Sequence, residues 1–199
     1  MIEILQENID HIFIILGANL DQKLFDELQN HIKSSNMEKR IIINDILGHN
    51  DFISLLKEVD LVVNSSISEG MSNAIMEAMS IGVPVLAREN EGNLKLIKHN
   101  HNGLIFSNKK EFKEMFYKIH NDTILRENII FNSIKEINDK FSFDSEVKNY
   151  NGLLHEFREK YYFRLFENNI KLNLIFSRNV HPFSEENNNI FNVFFILNY

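Results

Sequence analysis

The stretch SEGMSNAIMEAMSIGVPV, Ser68–Val85, decides the fold of this chain. Apolar residues recur in it at positions i, i+3, i+4, i+7 and i+8, which predicts a helix with one buried face. Gly82 is a natural end for this helix, and the run VPVLA that begins at Val83 predicts a buried strand. The predicted buried face of the helix consists of Met71, Ala74, Ile75, Ala78 and Met79.

The same alternation of strand and helix extends in both directions from this stretch. Short apolar runs that predict buried strands are HIFIILG (11–17), RIIIN (40–44), DLVVNSS (60–66) and HNGLIF (101–106). Because neighbouring parallel strands need crossover connections, and right-handed crossovers place helices on both faces, this pattern predicts an α/β fold with a doubly wound parallel sheet. Helical spacing continues from Asn108 onward, so C-terminal helices complete the predicted fold.

The part of the chain beyond Arg164 does not continue this rhythm. Short apolar runs alternate there with asparagine-rich gaps, a composition that does not specify a packed core. We therefore predict one α/β domain with its C-terminal helices over residues 1–163, and a poorly specified tail over residues 164–199.

Composition narrows the classes of function. The net charge of -7 and a pI near 5.6 argue against a general nucleic-acid binder, since such affinity comes from Lys and Arg that neutralise phosphates. The chain has no cysteine, which excludes disulfides and thiolate metal sites. No apolar run approaches the ~20 residues of a membrane helix, and the start MIEILQENID lacks the basic region of a signal peptide. We expect a cytoplasmic protein.

Two carboxylates, Glu69 and Glu77, accompany the predicted start of the helix. In an open α/β sheet ligands bind outside the carboxyl ends of the strands, and Glu69 follows a predicted strand at that edge. The amides of Gly70, Met71 and Ser72 come next. Unpaired N–H groups and the helix dipole attract an anion such as a phosphate at this position.

The second carboxylate extends the predicted site along the helix. Glu77 lies eight residues after Glu69, which is about 12 Å farther along the helix direction. Asn73 and Glu77, at i and i+4, share a face that differs from the buried one. This arrangement suits an extended ligand with a sugar at one end, a pyrophosphate in the middle and a ribose at the other end.

Simpler interpretations exist for each of these residues. Glu69 taken alone is a capping acid and Glu77 an exposed helix acid, and we would prefer that interpretation for an isolated pair. His49 precedes a predicted helix on the same edge, where loop polarity explains it. His99 and His101 have no carboxylate at ligand spacing, and we predict no metal site.

A longer run carries a family resemblance. SEGMSNAIMEAMSIGVPVLARENEGNLKLIKHNHNGLIF, with its E-x7-E spacing and GVPV, resembles the donor-binding half of retaining GT-B glycosyltransferases, the glycosyl transferases group 1 family. The upstream LGHNDFISLLKEVDLVVNSS fits the same family, and the similarity covers about His11–Lys140. The resemblance implies the Rossmann-like C-terminal half of a GT-B fold and a nucleotide-sugar donor. It also implies net retention at the anomeric carbon, with no obligatory metal and no cofactor.

The resemblance assigns roles to the candidate residues. It implies that Glu69 lies beside the transferred sugar as the catalytic residue, and that Glu77 accepts hydrogen bonds from the ribose hydroxyls. The donor sugar or diphosphate would meet the amides around the start of the helix. The donor-binding set is Gly70, Met71, Ser72, Asn73 and Glu77.

The sequence departs from the family pattern in several places. Complete relatives carry an N-terminal acceptor-binding domain, and an Arg and a Lys ahead of the strand matched here by HIFIILG, whereas only ten residues precede His11 and none is basic. Lys95 stands where many relatives have a glutamate. We therefore expect a fragment of a two-domain enzyme. The alternatives are a catalytically inactive Rossmann-like binding module, and a fragment that does not fold alone.

Overall fold

The computed structural model of the chain describes residues 1–8, 10–19, 21–167 and 193–198. Its strands are β1 His11–Leu16, β2 Ile41–Asn44, β3 Leu61–Asn64, β4 Val85–Arg88, β5 Leu104–Phe106 and β6 Val193–Asn198. Its helices are α1 Ile2–Glu7, α2 Gln22–Ser34, α3 His49–Leu56, α4 Asn73–Ile81, α5 Glu91–Leu96, α6 Lys109–Asn121, α7 Thr123–Phe141 and α8 Phe143–Glu167.

The chain divides into two compact units. The first consists of Met1–Ile137 together with Asn189–Tyr199, and it contains the whole sheet. The second consists of Asn138–Asn188, and helix α8 is its main described element. The predicted domain boundary at residue 163 therefore falls within α8 and stays a prediction. Most of the predicted tail, residues 168–192, lies outside the described residues.

The first unit is built around a sheet with the strand order β2-β1-β6-β3-β4-β5. Strands β1 and β2 are parallel, and so are β3, β4 and β5, with a helix in each crossover. The predicted α/β class with a parallel sheet is confirmed, and each of the five predicted strands is present. Strand β6 was not predicted. It belongs to the segment after residue 163 and lies antiparallel between β1 and β3, so the sheet is not entirely parallel.

Side chains on the two faces of the sheet form two separate apolar clusters. In β1, Phe13 and Ile15 belong to one cluster, and Ile14 and Leu16 belong to the other. This alternation follows from the two-residue period of a strand that is buried on both faces. The run of consecutive apolar residues in HIFIILG therefore reflects burial by helices on both sides.

Helix α4 begins later than its apolar spacing predicts. Ser72 is its N-cap and Asn73 its first residue, so Met71 lies in the preceding loop with 50% of its surface exposed. The prediction that Met71 belongs to the buried face is wrong, because a residue in the loop does not follow the helical period. Ile75, Ala78 and Met79 are buried as predicted. The helix ends at Gly82, which adopts the left-handed conformation with φ of 88°.

His11 is the first residue of β1, and its polar side chain is buried at the amino end of that strand. Neither ring nitrogen has a hydrogen-bond partner among the described residues. The ring packs against His120, with 4.9 Å between centroids, and against Phe116. Burial lowers the pKa of His11, and the neighbouring His120 and Arg40 lower it further, against opposing effects from Asp60 and Asp10.

This environment predicts that acid destabilises the first unit. A lowered pKa keeps His11 neutral when the chain is folded, whereas the unfolded chain binds a proton near the ordinary pKa of 6.5. The free energy of unfolding should therefore decrease as the pH falls through that value. We expect His11→Phe to reduce this decrease and to add about 1 kcal/mol of stability near neutral pH, because it removes unpaired polar atoms.

Urea unfolding at several pH values between 5 and 8 tests the prediction. His31→Phe, which makes the same substitution on the exposed surface of α2, is the matched control for the added phenylalanine. An equal pH dependence in wild type and His11→Phe would contradict the assignment.

Candidate functional site

The candidate residues lie at the carboxyl edge of the parallel strands. The loop after β3 contains Glu69 and Gly70, and the loop after the neighbouring strand β4 leads into α5. A hydrogen bond of 2.9 Å from Asn90 Nδ2 to the carbonyl oxygen of Ser66 links the two loops. The topology thus brings together residues from two βα connections, where open α/β sheets bind ligands.

Glu69 is held by a hydrogen bond from the end of β3. Its Oε1 accepts from Nδ2 of the buried Asn64 at 3.3 Å. The Glu69 side chain itself is partly exposed. The carboxylate is therefore anchored at one oxygen while remaining accessible at the edge of the sheet.

The start of helix α4, like the starts of α1 and α3, lacks a side-chain cap. Side-chain oxygens of Asp21, Asn90 and Asn108 accept hydrogen bonds from backbone amides at the starts of α2, α5 and α6. Ser72 makes no such bond, and its buried hydroxyl has no partner among the described residues. The first amides of α4 are therefore not occupied by the side chain that normally binds them.

Glu77 is a half-buried carboxylate on the second turn of α4, with 30% of its side chain exposed. Desolvation raises its pKa, and the nearby His49 opposes this rise. The distance from His49 Nδ1 to Glu77 Oε1 is 3.5 Å. A carboxylate that has lost part of its hydration in this way is suited to accept hydrogen bonds from ligand hydroxyl groups.

The two glycines in this region have different roles. A Cβ atom on Gly70 would meet no atom within 4 Å, so the fold leaves open space there. A Cβ atom on Gly92 would lie 2.0 Å from the carbonyl oxygen of Gly70 and 2.4 Å from that of Glu69. The close packing of the Glu69–Gly70 peptide on α5 therefore requires a glycine at position 92, whereas packing does not require one at position 70.

The predicted site residues are placed as follows. Glu69, Gly70 and Met71 lie in the loop ahead of α4, Ser72 is its cap, and Asn73 is exposed on its first turn. The amides at the start of the helix are thus those from Asn73 onward, rather than those of Gly70 and Met71. The roles of these residues in ligand binding stay predictions.

Three further residues of this region lie beside the predicted ones. His49 lies 3.5 Å from Glu77, in addition to its predicted place on this edge. Asn64 and Asn93 have no signal in the local sequence pattern, although Asn64 is the last residue of a parallel strand. Within the described parts of the chain, no group of His, Cys, Asp and Glu side chains could hold a metal ion.

A sequence comparison identifies the family of this chain. The sequence model of the glycosyl transferases group 1 family matches residues 1–136. The chain belongs to this family. No helix in the part of the chain that the structure describes is long and apolar enough to cross a membrane.

Relatives in the family are considerably longer than this chain. It is 35% identical over 140 residues to glycosyltransferase 1 domain-containing protein 1 of Xenopus tropicalis, which corresponds to 70% of this chain and 40% of that protein. It is 36% identical over 98 residues to the UDP-Gal:alpha-D-GlcNAc-diphosphoundecaprenol alpha-1,3-galactosyltransferase of Escherichia coli, covering 48% of this chain and 24% of the enzyme. The matched part of the chain thus spans less than half the length of either relative.

Solved structures of GT-B glycosyltransferases share the fold. Anabaena HepE in complex with UDP-glucose superimposes with a TM-score of 0.64 at 24% identity, over 72% of this chain and 40% of that protein. The C-terminal domain of the group 1 glycosyltransferase LpcC from Francisella tularensis gives a TM-score of 0.57 at 23% identity, over 63% of this chain and 66% of that domain. The partial coverage matches one half of a two-domain fold.

Proposed function

We propose that this chain is the donor-binding part of a retaining glycosyltransferase that uses a nucleotide-diphosphate sugar. The observation that carries the proposal is the arrangement of Glu69 and Glu77 around the uncapped start of α4 at the carboxyl edge of the sheet. Family membership supports it, as does the UDP-glucose that is bound to the structural relative from Anabaena.

Each part of the site has a role in the proposed complex. The ribose hydroxyls donate to Glu77, whose partial burial leaves its carboxylate poorly hydrated. The diphosphate meets the amides at the start of α4, where the helix dipole favours negative charge. The sugar lies beside Glu69, and Gly70 leaves space for its close approach.

The proposed reaction is transfer with net retention. The bond between the anomeric carbon and the diphosphate oxygen breaks, and the acceptor hydroxyl oxygen forms its bond on the same face of the sugar. The departing diphosphate takes the proton of that hydroxyl, and the proposed scheme includes no resident metal or cofactor. Amides at the start of α4 stabilise the charge that develops on the leaving group. The acceptor would bind mainly to the other domain of the complete, cytoplasmic enzyme.

Calorimetric titration of the purified chain with UDP, GDP and ADP, and with their glucose derivatives, tests the proposal. We expect saturable binding of one nucleotide class. Gly70→Ala should weaken binding at least about tenfold, or 1.4 kcal/mol, because its methyl group enters the ligand space. It should leave the unfolding midpoint unchanged, because the fold has room for that methyl group.

Gly152→Ala is the matched control, since a Cβ at this position in α8 also meets open space and α8 carries no candidate site residue. It should bind nucleotide like wild type. Absence of binding by a chain that unfolds cooperatively would contradict the donor site and favour an inactive binding module.

A further inference from the structure

Two buried asparagines, Asn64 at the end of β3 and Asn93 in α5, form the polar core of the candidate site. Both side chains are fully buried, with 0% of their surface exposed. Asparagine is rarely buried to this degree, and a buried amide is costly unless it is hydrogen-bonded. The hydrogen bonds of this pair therefore show how that cost is offset.

The partners of Asn64 determine which way its amide points. Its Oδ1 accepts from the backbone amide of Ser66 at 3.1 Å and from Asn93 Nδ2 at 3.3 Å. Because a backbone N–H can only donate, the atom that faces Ser66 must be the oxygen. The Nδ2 group is consequently directed at Glu69, to whose Oε1 it donates at 3.3 Å.

Asn93 fixes Asn64 from the neighbouring loop. Its Nδ2 donates to Asn64 Oδ1 and also to the carbonyl oxygen of Arg88 at 2.8 Å, at the end of β4. Its own Oδ1 is buried without a partner among the described residues. An unpaired buried acceptor lowers stability, so the pair is not explained by stability alone. The chain of bonds runs from β4 through Asn93 and Asn64 to the carboxylate of Glu69.

We infer that Asn64 and Asn93 are positioning residues that orient the Glu69 carboxylate toward the sugar of the donor. The inference rests on the proposed function and deepens it. According to this inference, the pair makes the site bind a nucleotide sugar more tightly than the free nucleoside diphosphate. Glu77 and the start of α4, which lie outside this chain of bonds, contribute equally to the binding of both ligands.

Titration with UDP and UDP-glucose, the nucleotide sugar held by the Anabaena relative, tests the inference. Asn64→Asp keeps the oxygen that Ser66 and Asn93 require, but replaces the donor to Glu69 with a second carboxylate. We expect affinity for UDP-glucose to fall at least about tenfold, and affinity for UDP to stay within about twofold, because repulsion displaces only Glu69. If Asn64→Asp does not unfold cooperatively, the affinities for UDP-glucose and UDP are compared in Asn64→Ala instead.

The matched control is Asn102→Ala. Asn102 is equally buried, and its amide donates to the carbonyl oxygen of Leu96 and to Glu136, outside the candidate site. It should lose stability like Asn64→Ala while the ratio of the two affinities stays at the wild-type value. In a Glu69→Gln background, Asn64→Asp should have little further effect on UDP-glucose, because it acts through the carboxylate.

The outcomes separate the inference from the proposed function. Wild type that binds none of UDP, GDP, ADP and their glucose derivatives would overturn both, and where it binds GDP or ADP instead of UDP the same comparison is made with that nucleotide. Wild type that binds UDP-glucose more tightly than UDP, with Asn64→Asp lowering both affinities equally or neither, would overturn the positioning role and leave the donor site in place. An undiminished effect of Asn64→Asp in the Glu69→Gln background would also overturn it.

Discussion

Gly92→Ala should destabilise the first unit and displace the loop that carries Glu69. The added methyl carbon would lie 2.0 Å and 2.4 Å from the carbonyl oxygens of Gly70 and Glu69. Both are backbone atoms, so no side chain can rotate away to make room, and either α5 or the loop must move. Overpacking of this kind costs about 1–3 kcal/mol, and a displaced Glu69 should also lose its contact with the donor sugar.

Urea unfolding followed by circular dichroism measures the stability effect, and UDP-glucose titration measures the effect on the site. Gly70→Ala is the control for the stability measurement alone, because it adds the same methyl group to the other side of this contact, where the space is open. It should retain wild-type stability. Equal stability of wild type and Gly92→Ala would show that the loop and α5 are not packed as closely as described.

Glu77→Gln should abolish most nucleotide affinity without lowering stability at neutral pH. Hydrogen bonds to a charged group contribute about 1.5–3 kcal/mol, so the loss of the carboxylate should weaken nucleoside diphosphate binding by roughly 10- to 150-fold. Desolvation raises the pKa of Glu77, which means that the folded state disfavours the ionised form. That penalty increases as the pH rises above the ordinary pKa of 4.5, and glutamine removes it.

The stability difference between Glu77→Gln and wild type should therefore shift in favour of the variant between pH 4 and pH 7. Calorimetric titration and urea unfolding at both pH values measure the two effects. Glu127→Gln, which replaces an exposed carboxylate on α7, should change neither quantity. If Glu77→Gln instead becomes less stable relative to wild type as the pH rises from 4 to 7, the contact of Glu77 with His49 outweighs its desolvation.

Local sequence patterns predicted the strands of the sheet closely. The apolar run at 11–17 corresponds to β1, His11–Leu16, and RIIIN at 40–44 corresponds to β2, Ile41–Asn44. Strand β1 is covered on both faces, so nearly all of its consecutive positions are apolar and buried. The prediction that RIIIN is a buried strand is wrong in part, because β2 lies at the edge of the sheet and Ile42 is 44% exposed. The place of Glu69 at the carboxyl edge followed from the same pattern.

The start of α4 shows where local pattern was insufficient. Met71 fits the helical spacing, yet the helix begins at Asn73 and Met71 is half exposed. Spacing identifies residues that could share a face, but the first turn is decided by the backbone at Ser72 and by the path of the loop that packs on Gly92.

The sequence by itself determined the α/β class, the order of the parallel strands along the chain, and the presence of two acids near the start of one helix. Only the tertiary structure decided which groups meet at that point. Asn64 and Asn93 are 29 positions apart, and their contact depends on the pairing of β3 with β4 and on the turn into α5. The insertion of β6 between β1 and β3 likewise depends on partners that are distant in the chain. The spacing of apolar residues predicts which side of a single helix or strand is buried. These contacts join chain segments that meet only when the sheet is assembled, so local spacing cannot predict them.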